Sequence, residues 1–174
     1  MNIGRQDGYT LVELLVSMAI LAAVMGSVTV LFVHASTAEV DLQNRFQAQQ
    51  AARVALDKLR RETHCASGAS VSSASSVTLT LATYCPTGSG SVTWCTVGSG
   101  SRYGLYRKTG ATCDATGIKW ADYLTTGSVF AYTAQSSTSL AKLHVDFPIN
   151  VKPAQSVVSY ELVDDIALRN STRS

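Results

Sequence analysis

Between Tyr9 and Val33 the chain carries a nearly unbroken apolar run, and its only charge is Glu13. From Leu14 to Val33 there are twenty consecutive residues without a charge. As a helix rising about 1.5 Å per residue they cover roughly 30 Å, the thickness of a bilayer's hydrocarbon core. An acid near the start of such a segment costs at least a few kcal/mol in lipid, so it needs a partner. A secretory signal peptide describes the run poorly. Its apolar region would be about 7–15 residues long and would precede a small-residue cleavage site. Here the small residue, Gly8, lies before the run. A plain membrane anchor is the rival reading.

Beyond Val33 the composition turns polar while the helical pattern persists. Leu42, Phe46, Ala52, Leu56 and Leu59 recur at near-helical intervals, and no Pro or Gly interrupts residues 27–67. One helix from Tyr9 to about Glu62 follows, apolar all round in its first half and amphipathic in its second. Ala19, Ala23 and Ser27, like Ala22 and Gly26, recur at the four-residue spacing that lets helices approach closely. Gly26 is also a candidate point of bending, since it lowers helix propensity by about 1 kcal/mol. The Ser/Ala/Gly-rich stretch from Ala66 to Ser76 reads as a loop.

Strand patterns come next. Val77, Leu79 and Leu81 alternate with Thr, and Val92–Val97 and Tyr103–Lys108 form a pair joined at Gly98–Ser101. The stretch Ile118–Leu124 is ambiguous and admits a helical turn. Val129–Tyr132 is a short strand. Leu143 to Val151 alternate, with Pro148 suggesting an edge or bulge. Val157–Val163 and Ile166–Leu168 supply the last strands. One long helix followed by strands means α+β, the helix laid on an antiparallel sheet.

Four cysteines, Cys65, Cys85, Cys95 and Cys113, all follow the membrane segment. Their even number favours two disulfides in an oxidising compartment. Of three possible pairings, Cys65–Cys85 with Cys95–Cys113 is expected: the first ties the helix end to a strand end, the second flanks the Gly104–Arg107 strand. No Cys-x-x-Cys pair exists, so no metal or other cofactor is expected. Charged residues make up only 15% of the chain and the net charge is +2. Lys58, Arg60 and Arg61 cluster at the helix end, where cations suit the macrodipole, so nucleic acid is weakly supported as a partner. His34, His64 and His144 are well separated. No nucleophile elbow, phosphate-cradling loop or His-Glu-x-x-His helix is present, which argues against an enzyme. Trp94, Tyr103, Tyr106 and Trp120 read as sheet packing rather than a binding surface. Asn170-Ser171-Thr172 matches a short glycosylation sequon.

Gly8-Tyr9-Thr10-Leu11-Val12-Glu13, followed by the apolar helix, resembles the type IV prepilin signature, with Tyr9 where Phe is commoner. The resemblance covers about Gly8 to Leu31 closely. It implies a leader of residues 1–8, with Arg5 on the cytoplasmic side, cut after Gly8 by a prepilin peptidase that methylates the new terminus at Tyr9. It also implies a pilin-like fold: a membrane or filament-core segment at 9–33, an amphipathic continuation at 34–64 and a β-rich extracytoplasmic domain at 65–174. Partners would be the peptidase, other pilin or pseudopilin subunits and the lipid membrane. Glu13 would meet the terminal amine of a neighbouring subunit, and its presence argues against the outermost tip position. Gly104-Leu105-Tyr106-Arg107 and Ala167-Leu168-Arg169-Asn170 look like the larger minor pilins and J-type pseudopilins. An anchored extracellular binding module and a DNA-uptake minor pilin are the alternatives.

Overall fold

A computed structural model describes residues 9–153 and 160–170. Helix α1 runs from Leu11 to Cys65 without a break, through Gly26. Eight strands follow: β1 Ala66–Ser73, β2 Ser76–Leu81, β3 Gly90–Ser99, β4 Arg102–Thr109, β5 Ile118–Leu124, β6 Phe130–Thr133, β7 Lys142–Ile149 and β8 Tyr160–Ala167. This is the expected α+β, pilin-like arrangement, with the helix packed on a curled antiparallel sheet. Two compact units divide the chain, one ending at Gln43 and one beginning at Asn44.

In the first unit every described residue from Leu11 to Val40 is exposed. Its hydroxyls turn back on the helix: Ser17 Oγ donates to Leu14 O, Ser27 Oγ to Val24 O and Thr29 Oγ1 to Met25 O, all within 2.9 Å. These three hydroxyls are thereby satisfied without water, which suits burial in lipid. An apolar surface of this extent marks a site for membrane or protein contact.

The second unit has a core. Ala48, Ala52, Ala55, Leu56 and Leu59 of α1 pack with Val77, Leu79, Val92, Trp94, Leu105, Leu143, Val145 and Phe147. The alanines let the sheet approach the helix closely, and the leucines fill what remains. The buried stripe differs from the sequence reading at its start. Leu42 and Phe46 are exposed, and the stripe continues instead through Glu62 and Thr63.

The sheet order is β1-β2-β3-β4-β5-β7-β6, with β8 on β7's other edge. It curls until its ends meet. The carbonyl of Ala74, in the β1–β2 turn, accepts from the N–H groups of Val129 and Phe130 beside β6. The β3–β4 hairpin turns on Gly100-Ser101, between the paired Ser99 and Arg102. Gly100 has φ +62°, a positive value at the first of two central positions, as type II′ turns need.

Three expectations are corrected. Residues 66–73 form strand β1 rather than a loop, paired with β2 from Ala66↔Leu81 to Ser73↔Ser76. Ile118–Leu124 is a strand. Its alternation is broken by two extra residues, since Ala121–Leu124 opposes Tyr103–Leu105 and Lys119–Ala121 opposes Leu105–Tyr106. Pro148 lies in β7, which is paired on both edges rather than forming an edge strand. It sits where β7 changes neighbours. Asp146 N donates to Val129 O and Asn150 N to Tyr123 O, and between them Pro148 only accepts, from Thr125 N. A residue with no N–H costs nothing at a place where no acceptor faces it. The expected strand at 157–159 lies outside the described residues.

Candidate functional site

The start of α1 is built from Thr10 and Glu13. Thr10 is the N-cap: its carbonyl accepts the first helical bond from Leu14 N, 3.2 Å away. Glu13 N donates to Thr10 Oγ1 at 3.3 Å, while Thr10 N and Thr10 Oγ1 both donate to Glu13 Oε2 at 2.9 Å. This reciprocal pairing is a capping box, which satisfies donors that a helix start leaves without partners. The carboxylate also lies at the positive end of the helix macrodipole. Tyr9 is fully exposed beside it. Gly8 lies outside the described residues.

A second carboxylate on the same helix has the opposite surroundings. Glu62 is completely buried. Trp94 Nε1 donates to its Oε2 at 2.8 Å, and Arg107 reaches Oε1 through Nη2 at 2.8 Å and Nε at 2.9 Å. Lys58 Nζ is 3.4 Å from Oε1. Helix, β3 and β4 thus meet at one fully partnered acid. Sequence reasoning passed over it, although Glu62 stands three residues after Leu59 on the buried stripe, and Arg107 shares the alternation of Leu105 on β4.

The disulfides join Cys65 to Cys85 and Cys95 to Cys113, with Cα–Cα distances of 5.7 and 5.9 Å. The first fixes the end of α1, one turn beyond Glu62, to the segment after β2. The basic cluster at this helix end has specific partners rather than a diffuse role. Arg60 pairs with Asp164 of β8 at 2.8 Å and Arg61 with Asp57 at 2.7 Å. His64 Nδ1 lies 3.0 Å from Ala167 O, and Asn170 Nδ2 donates to His64 O. His144 pairs with Asp165 at 2.7 Å. Ser171 and Thr172 of the sequon are outside the described residues.

Trp94 is fully buried, with its ring 5.7 Å from that of Trp120. Tyr103 packs partly buried against the core. Where β5 bulges against Tyr103–Leu105, Tyr123 has φ +65° and Asp122 accepts from Lys119 Nζ at 2.7 Å and Arg102 Nη2 at 3.2 Å. Burial pushes the Asp122 carboxyl up, but the hydrogen bonds from Lys119 and Arg102 outweigh it and the net shift is downward. Asp114, exposed in the loop after β4, is held down at about 2 by hydrogen bonds from Thr116 and Lys108. Among the described residues no group of His, Cys, Asp and Glu is placed to hold a metal ion.

A long helix that is apolar and exposed over one stretch and packed on a curled sheet over another, with one capped acid at its start, defines a pilin-like class of protein. The family described as the prokaryotic N-terminal methylation motif matches residues 3–29, a match that supports a type IV prepilin-like protein. No curated protein and no solved structure matches it.

Proposed function

We propose that this chain is a structural subunit of a type IV pilus or a type II secretion pseudopilus. In this reading residues 1–8 are a leader, removed by prepilin peptidase between Gly8 and Tyr9, and the new terminus at Tyr9 is methylated. Residues 9–33 hold the subunit in the cytoplasmic membrane as a single span, with the β-rich domain extracytoplasmic. There the oxidising surroundings allow both disulfides. The helix then leaves the membrane to pack among the helices of other pilin or pseudopilin subunits. The multi-stranded domain suits a minor subunit rather than the bulk one.

One observation carries the reading. The methylation motif at residues 3–29 coincides with an exposed apolar helix whose single acid lies four residues beyond Tyr9. An ionised carboxylate in such surroundings requires a cation. The new terminal amine of a neighbouring subunit supplies one, with an ordinary pKa of about 7.7–8.0. Mass spectrometry of the protein from its native host tests the processing step. The expected terminus is a methylated Tyr9, and replacing Gly8 with a bulky residue should leave the chain full length. Normal shortening of that variant would contradict the reading.

A further inference from the structure

We propose that Thr10 is a positioning residue for Glu13, holding one carboxylate oxygen so that the other faces outward for a neighbouring subunit's amine. The inference rests on the assembly role proposed above for Glu13. Both donors from Thr10, its N–H and its hydroxyl, converge on Glu13 Oε2 at 2.9 Å. Among the described residues none is recorded donating to Oε1. The hydroxyl is itself fixed, because it accepts from Glu13 N while donating to the carboxylate. A hydroxyl has the donor and acceptor capacity for both bonds at once.

Two consequences follow. A carboxylate in an apolar segment is less unfavourable when one oxygen already has two hydrogen bonds. The membrane-held subunit thus carries its acid at a lower cost while it waits for a partner. The long Glu side chain is also ordered in advance, so less freedom is lost when the amine arrives. The Thr10 N–H belongs to the Tyr9–Thr10 peptide bond and survives a cut after Gly8. Both Thr10 donors are therefore available before and after processing.

The test compares the full chain carrying Thr10→Val, Thr10→Gly, Thr10→Ser or Glu13→Val in its native host. What is measured is the fraction in sheared filaments per cut, membrane-inserted molecule, so that poor cutting beside the junction does not enter. Gly caps a helix nearly as well as Thr but has no hydroxyl, so it separates aiming the carboxylate from capping alone. Thr10→Val and Thr10→Gly should both lower incorporation on the order of tenfold, the loss expected for a hydrogen bond to a charged group. Thr10→Ser should stay within about twofold of the parent, because it keeps the hydroxyl. If Glu13→Val is excluded while Thr10→Gly enters like the parent, Thr10 is only a cap and the inference is overturned. If Glu13→Val itself enters normally, the assembly reading fails first.

Discussion

Two glutamates on one helix mark the difference between its two regions. Glu13 lies in a stretch where every residue is exposed, and its described partners all come from Thr10, three residues away. Glu62 is sealed in the core, with partners drawn from two strands 32 and 45 residues further along the chain. A buried carboxylate is tolerable only when its oxygens are occupied. Glu62 meets that condition inside its own molecule. Glu13 meets it in part, and in the proposed reading another subunit completes it. In that reading the first half of the helix serves association, while the second holds a domain together.

Breaking the inner acid should have the largest effect. Glu62→Ala leaves Arg107 and Trp94 Nε1 without their partner under the sheet, and should cost about 3–5 kcal/mol in chemical unfolding of the full chain in detergent. Arg107→Ala should cost a similar amount, and the double variant much less than the sum, since both remove one interaction. A strictly additive cycle would mean that the two groups do not stabilise each other.

The disulfide beyond Glu62 sharpens the same contrast. Replacing Cys65 and Cys85 together with Ser should lower stability by about 2–4 kcal/mol, mainly by freeing the unfolded chain. Insertion of the first helix half should be unaffected. A loss of membrane insertion would show that the two halves are not separable in this way.

Asp114, exposed and outside the core, should give the smallest effect. Its folded pKa is depressed from 3.8 to about 2, so the stability it lends is full above 3.8 and is lost as the pH falls through about 2. Asp114→Asn should therefore flatten the fall in unfolding midpoint between these two pH values, lowering the midpoint slightly at pH 7 and leaving it unchanged below about pH 2. An unchanged acid limb would remove Asp114 from the account.

Much of this organisation was legible in the residues. The helix could be followed because nothing between 27 and 67 breaks it, and β2, β3, β4 and β7 because their apolar residues alternate. Strand β1 was hidden, since Ala, Ser and Gly carry no period-two signal and its backbone is recruited by pairing with β2. Strand β5 was obscured where an extra residue at Asp122–Tyr123 shifts the alternation. Leu42 and Phe46 fit the helical period but have no sheet beneath them, so the pattern overstated the core. Thr10-Leu11-Val12-Glu13 is a capping-box sequence ahead of an apolar run, a signal present in the residues themselves. Glu62 and Arg107 look like ordinary surface charges until the fold brings them together.

The central claim is that Glu13 serves another subunit while Glu62 serves its own. Incorporation of Glu13→Val into sheared filaments, measured in the native host at equal membrane levels, tests it most directly. The variant should be cut after Gly8 and inserted like the parent, yet be missing from the filaments. Entry at the parent's level would contradict the account.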